Sequence, residues 1–241
     1  MKKFIFSFMR YEKKYLINEK VAEDFLNAVG DRFSSDEYGE SRICNLYYDT
    51  EHYNLIRHSL SKPKYKEKLR LRCYGKPENN SSAFVEIKKK FDGVVYKRRI
   101  CLEYKNAENY LNGTFSPEKS QIKSEIDFLL MRYGKLSPKM AIYYLRNAYI
   151  CKENPDLRIT FDKDILWRKT DLDLTLPVSG NEILPPGYVL MEIKIPGAVP
   201  VWLARILSEK GIFPVNFSKY GNAYLNMCGK NSENKAIIGG N

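Results

Sequence analysis

The sequence predicts a single α+β domain rich in antiparallel strands. Three observations carry this. Period-two alternation of apolar and charged residues recurs along the chain. One stretch, FVEIKKKFDGVVYKRR at 84–99, reads as two strands joined by an Asp-Gly turn, the preferred chemistry of a tight hairpin. A few segments show helical spacing instead, with no internal repeat and no linker between them.

Element by element, residues 4–17 alternate as a strand. EKVAEDFLNAV, 19–29, has helical spacing with Asn18 as its cap. ICNLYYDT, 43–50, is a strand, and TEHYNLIRHSL after it a turn or helix. KYKEKLRLRCYG, 64–75, is a strand, and the hairpin follows to about Tyr104. Residues 107–133 are mainly helical, with a break near 113–117. KMAIYYLRNAYIC (139–151), LRITFDKDILWRK (157–169) and YVLMEIKIPG (188–197) are strands. VPVWLARILSEKG, 199–211, is an amphipathic helix ending at Gly211, packed through Trp202, Leu203 and Ile206. FSKYGNAYLNM, 217–227, has no firm assignment. The domain spans 1–228, and the polar, Gly-rich 229–241 reads as a disordered tail.

The chain has 241 residues, is 44% hydrophobic and carries a formal net charge of +11. A core is affordable at this length, and the charge asks for an anionic partner. The five cysteines are scattered without CxxC spacing and read as reduced thiols. The two histidines, His52 and His58, sit in one local segment, which leaves no His/Cys zinc cluster. The N-terminal apolar run is shorter than a signal peptide needs, and no stretch approaches a membrane span. The expectation is a soluble, cytoplasmic protein.

The charge is placed by face. In a strand, residues i, i+2 and i+4 share one side. KEKLRLRCY therefore groups Lys66, Lys68, Arg70 and Arg72 opposite Leu69, Leu71 and Cys73. The hairpin turn pairs Phe91 with Val94, Lys89 with Tyr96, Lys88 with Lys97 and Glu86 with Arg99. Lys88 beside Lys97 is unfavourable unless solvent screens them or an anion sits between them. The pattern recurs as Arg10, Glu12 and Lys14; as Arg158, Thr160, Asp162 and Asp164; and as Leu190, Glu192 and Lys194. Strands closed into a barrel would turn these faces inward. A charged lumen then calls for a polyanion, with Lys and Arg on phosphoryl oxygens and carboxylates on a divalent cation. Nucleic acid is not expected, because binding it would call for exposed basic and aromatic residues instead.

In their order and spacing, RYEKKY (10–15), NLYYDT (45–50), EKLRLRCYG (67–75), the hairpin, YYLRNAY (143–149), LRITFDKDI (157–165), VLMEIKIPG (189–197) and FSKYGNAY (217–224) resemble the VTC domain. This is the polyphosphate polymerase branch of the triphosphate tunnel, or CYTH-like, superfamily. The resemblance implies an eight-stranded antiparallel β-barrel, the tunnel, with helices packed outside. It implies a tunnel that binds ATP or another triphosphate with Mn²⁺ or Mg²⁺, and that transfers the γ-phosphoryl group to inorganic polyphosphate. By position it implies Arg70, Arg72, Lys88, Lys97 and Arg158 as catalytic residues. Arg10, Lys14, Lys68, Arg99, Arg146, Lys194, Ser218 and Lys219 become phosphate contacts, and Glu192 the metal ligand. Glu12 and Glu86 are read as its helpers on the metal, with neutralisation of Arg99 across the hairpin as the equal alternative for Glu86. The wider superfamily carries ExExK near its N-terminus. Here Arg10 takes the first acidic position, which suits the VTC branch. Family subunits in eukaryotes carry an SPX domain and membrane helices; the sequence shows neither, so a free-standing enzyme or a membrane partner encoded elsewhere is expected. Two alternatives stay open: a triphosphate hydrolase on the same fold, and a non-catalytic polyphosphate-binding module.

Overall fold

The structure, a computed structural model, describes residues 7–230, with side chains from Tyr11 onward. The start of the predicted first strand, and residues 231–241 of the predicted tail, lie outside the described residues. Ten strands and six α-helices follow in the order β1 (Ser7–Asn18), α1 (Glu19–Val29), β2 (Phe33–Ser35), β3 (Ser41–Asp49), α2 (Asn54–Leu60), β4 (Tyr65–Tyr74), β5 (Ser82–Phe91), β6 (Val94–Glu103), α3 (Tyr104–Leu111), α4 (Gln121–Tyr133), β7 (Ser137–Cys151), β8 (Arg158–Arg168), β9 (Asn181–Glu182), β10 (Tyr188–Ile195), α5 (Val201–Glu209) and α6 (Lys219–Met227).

All strand pairs are antiparallel, and the sheet order is β2-β7-β3-β4-β5-β6-β1-β10-β8-β9. β7 also pairs with β8, so the eight long strands form a ring of pairing around a charged interior. The short β2 and β9 extend its edges.

The hairpin register is the one its turn dictates. Asp92 and Gly93 both take positive φ, 44° and 86°, which matches the right-handed twist of the flanking strands. Phe91 faces Val94, Lys88 faces Lys97 and Glu86 faces Arg99. Asn18 caps α1 by accepting from the Val21 N–H at 2.8 Å.

Period-two alternation gives each strand a second, apolar face, and helices cover these faces outside the ring. Leu69, Leu71, Val85 and Ile87 pack against Ala107 and Tyr110 of α3 and Ile126 and Leu129 of α4. Tyr15, Ile159, Met191 and Ile193 pack against Phe25 of α1 and Leu203 and Leu207 of α5. Leu69 is fully buried, so truncating it to Ala costs about 2–5 kcal/mol. A third cluster lies inside one end of the ring. There Ile142, Trp167 and Leu190 meet Ile56 of α2 and Tyr220 and Ala223 of α6.

One predicted face is corrected. Asp164 does not continue the row of Arg158, Thr160 and Asp162. It takes φ 49° opposite a register shift between Tyr143 and Leu145 of β7, and it is exposed. The extra residue reverses the alternation, so Ile165 and Trp167 turn inward and form part of the apolar plug. The five cysteines are free thiols. Among the described residues, no helix is long and apolar enough to cross a membrane.

Candidate functional site: a charged tunnel

The inward faces enclose a cavity of about 1240 Å³. Every residue expected at the site lines it except two: Glu86, and Arg10, whose side chain lies outside the described part. Two carboxylate-centred clusters face the cavity from different strands.

The first cluster is built on β4, β5 and β6. Cross-strand register places Arg70 opposite Glu86 and Glu86 opposite Arg99. Glu86 is fully buried, with Lys97 at 2.6 Å, Arg70 at 2.8 Å, Arg72 at 3.8 Å and Arg99 at 3.9 Å. Burial alone would raise its carboxyl, but Lys97, Arg72 and Arg70 together hold it well below the usual carboxylate range. Glu86 was expected among the metal ligands. It is fully buried and does not line the cavity, which leaves it as counter-ion to the four cations around it.

The second cluster is built on β1, β10, β8, β7 and α6. Glu192 has Lys219 at 3.1 Å, Lys194 at 3.4 Å, Lys14 at 3.6 Å and Arg146 at 4.0 Å. Asp162, fully buried on the neighbouring strand, takes a two-pronged contact from Arg146 at 2.6 and 2.7 Å and an ion pair from Lys219 at 2.5 Å. Both carboxyls lie below their ordinary values: desolvation pushes them up, and the adjoining cations outweigh it. Burial, with Arg146 beside it, brings Lys194 down to about 7 against the pull of Glu192.

The opposed lysines of the hairpin find their anions within the protein. Lys88 turns to Glu12 at 2.5 Å, and Lys97 turns to Glu86. Desolvation would raise Glu12, but Lys88 leads the charges that lower it to about 2. Lys68 is different. It donates to Ser218 Oγ at 2.8 Å and has no carboxylate partner among the described residues. Burial, then Lys14, Lys88, Lys66 and Arg70, push it well below the ordinary lysine value. Arg158, expected near the chemistry, is exposed at the rim and donates to the Pro155 carbonyl.

Several functional side chains escaped the sequence reading. Asn45 accepts from Arg72 Nε at 2.9 Å, and the phenols of Tyr144 and Tyr47 accept from Arg72 and Arg70 at 3.0 and 3.1 Å. Both tyrosines are buried, and their hydroxyls orient the arginines. Asp162 lay on a recognised face but was not singled out. Its signal was its cross-strand position opposite Arg146. The unassigned segment 217–227 forms α6, capped by Ser218 Oγ on the Gly221 N–H at 3.0 Å, and carries Lys219 into the ring.

The residues fit a metal in one mode only. Among the described residues, no three His, Cys, Asp or Glu side chains gather as a metal cage. Glu12 and Glu192 do stand on paired strands, in diagonal positions, and each raises the electrostatic cost of the other's charge. One or two carboxylates suffice for Mg²⁺ when substrate phosphates supply the other oxygens.

A ring of antiparallel strands with a cationic lumen and helices outside is the triphosphate tunnel fold. A putative adenylate cyclase from Bacillus halodurans shares it, with a TM-score of 0.58 at 15% identity over 89% of this chain and 96% of that one. So does a putative adenylyl cyclase from Hippeastrum, described as having a dominant triphosphatase activity, with a TM-score of 0.51 at 16% identity over 93% and 97%. Within this fold, the chain belongs to the VTC domain family, whose model matches residues 9–228. It is similar to the vacuolar transporter chaperone complex subunit 4 of Schizosaccharomyces pombe, 21% identical over 75% of this chain, and of Trypanosoma brucei brucei, 23% identical over 78%. The matched regions span 31% and 29% of those longer proteins.

Proposed function

We propose that the protein is a polyphosphate polymerase-like phosphotransferase. It moves the γ-phosphoryl group of ATP onto inorganic polyphosphate inside the tunnel, with Mn²⁺ or Mg²⁺, in a cytoplasmic setting. One observation carries this reading. Lys68 is crowded by Lys14, Lys66 and Lys88 and has no carboxylate partner among the described residues, so its proton is held weakly in the free fold and a phosphate chain beside it would favour the ammonium.

Phosphoryl transfer needs positioning and charge neutralisation more than covalent help. Arg70, Arg72, Lys88 and Lys97 would hold the triphosphate from one wall, with Lys14, Lys194, Lys219 and Ser218 on the other. Glu86 holds Arg70, Arg72 and Lys97 in place, Glu12 holds Lys88, and Asp162 holds Arg146 and Lys219. Arg99, Arg146 and Arg158 extend the cationic path. The bond from the β–γ bridging oxygen to the γ-phosphorus breaks and leaves that oxygen on ADP. An oxygen of the polyphosphate terminus forms the new bond. That oxygen is already ionised, so no strong general base is required. Glu192 and Glu12 would hold the divalent cation, which supplies further neutralisation at phosphate oxygens when bound. A membrane partner for the emerging polymer belongs to the same proposal.

The test is incubation of purified protein with ATP and Mn²⁺, with products read on a polyphosphate gel beside a free-phosphate assay. Glu192→Ala is the control. Metal-dependent long chains, lost in the control, are expected. Free phosphate without chains would replace the polymerase with a hydrolase. Tight polyphosphate binding in both proteins with no turnover would leave a binding module.

A further inference from the structure

Ser218 lines the tunnel cavity from the N-terminal end of α6, half-buried, with its Oγ 2.8 Å from Lys68 Nζ. This is the spacing of a hydroxyl nucleophile and its base. Lys68 has no carboxylate partner among the described residues, and burial, with the charges of Lys14, Lys88, Lys66 and Arg70, loosens its proton. An amine in that state can accept the hydroxyl proton. Lys88 and Lys97, each tied to a carboxylate, are held as ammonium instead. The surroundings also suit a phosphate ester. Ser218 Oγ already accepts from the Gly221 N–H at 3.0 Å, so a phosphate on it would meet the positive end of α6. Lys14 donates to the adjoining Phe217 carbonyl at 2.8 Å, and Lys219 follows Ser218 in the chain. Gly221 weakens the first turn of the helix, yet a Cβ there would come within 3.1 Å of Ser218 Oγ. The glycine keeps the hydroxyl uncrowded.

We infer that the tunnel has a second activity: in the absence of polyphosphate, Ser218 takes the γ-phosphoryl group of ATP onto its own hydroxyl, with Lys68 as the base. The inference rests on the proposed function for its ATP. Serine differs from a polyphosphate acceptor in needing a base, because its oxygen is not already ionised. The incoming triphosphate favours the ammonium form of Lys68, and the nearest proton source is the serine hydroxyl. In the step, a lone pair of Ser218 Oγ forms the bond to the γ-phosphorus. The bond from that phosphorus to the β–γ bridging oxygen breaks, and its electron pair stays on ADP. The hydroxyl proton passes to Lys68 Nζ, and the new phosphate becomes the counter-ion that this lysine lacks. The phosphoserine then offers an ionised oxygen, the kind of acceptor onto which a chain can be built.

The experiment incubates wild-type protein, Ser218→Ala and Lys68→Arg with ATP and Mn²⁺ and no polyphosphate, then denatures and digests each for peptide mass spectrometry. Wild type should carry one or more phosphates esterified to Ser218, and Ser218→Ala should carry none. Lys68→Arg keeps a cation and loses the base, so its labelling should fall about a hundred-fold, the low end of a general base's contribution. Cooperative thermal melts show that both variants are folded. Wild-type protein that makes chains from ATP and added tripolyphosphate, yet carries no ester on Ser218, would overturn the inference while the polymerase reading stands. An ester on another residue in place of Ser218, or full labelling of Lys68→Arg, would overturn it too. Neither chains nor ester would remove the proposed function and the second activity with it.

Discussion

Lys68 Nζ stands 2.8 Å from Ser218 Oγ, which joins the basic row of β4 to the first turn of the last helix. The same hydroxyl accepts from the Gly221 N–H. The Lys68 amine is desolvated, and among the described residues neutral oxygen alone holds it. Lys68→Met should therefore weaken tripolyphosphate binding by ten-fold or more, the loss of a charge-assisted contact. It should also leave the melting temperature of the free protein unchanged or higher. Calorimetric titration and thermal melts read both. A variant that melts lower and binds as well as wild type would contradict the assignment.

Glu86 predicts the opposite balance. Glu86→Gln leaves Lys97, Arg70, Arg72 and Arg99 around a neutral amide at a fully buried position. Uncompensated buried charge of this kind destabilises by about 3–5 kcal/mol. Urea unfolding should show that loss, and tripolyphosphate should restore more stability to the variant than to wild type. An unchanged urea midpoint would mean that the carboxylate does not neutralise its neighbours.

Lys194 gives a pH dependence. Burial and Arg146 lower it to about 7 in the free fold, against an ordinary value of 10.5 in the unfolded chain. Its unfavourable contribution to stability is fully present below pH 7. It fades as pH rises toward 10.5, because the unfolded chain there holds the extra proton. A bound phosphate chain favours the ammonium. Binding of tripolyphosphate at pH 8 should therefore take up protons, approaching one from this residue. Titrations in buffers of different ionisation enthalpy measure the uptake, and Lys194→Met should reduce it. Proton release on binding would reverse the sign and refute the account.

Tyr220 ties α6 to the end of β3. Its hydroxyl donates to Asp49 at 2.9 Å, and its ring stacks on Tyr47 at 4.5 Å. Asp49 also accepts from the Leu55 and Ile56 amides that open α2. Tyr220→Phe keeps the stack and removes one buried bond, at about 1 kcal/mol. Hydrogen exchange should quicken in α6 before it does in β3. Uniform protection would show that the helix is held by packing alone.

What the sequence disclosed follows from how local each cause is. The Asp92-Gly93 turn sets the register of twenty residues around it, so the facing of Lys88 and Lys97 was legible. Leu69 and Leu71 opposite Arg70 and Arg72 followed from the pleat. The partners of those charges were not legible, because Glu12 reaches Lys88 across 76 positions and Lys219 reaches Asp162 across 57. The face of Asp164 was misread because a bulge is set by the partner strand as well as by its own. α6 was missed because Gly221 weakens its first turn, and its capping serine also serves Lys68. β2 and β9 are too short for periodicity to register.

The ring has a bearing on how the protein is made. β1 pairs along one edge with β6 and along the other with β10, where Tyr11 meets Ile195. Of the ring's strands, the first to be made must wait for the last. Until then its edge is unpaired, and Glu12 and Lys14 lack the neighbours that β10 brings. Pairings this distant make assembly slow and leave edges open to other chains. A nascent chain halted before β10 is therefore the species in which a chaperone, or an early polyanion, has the most to contribute.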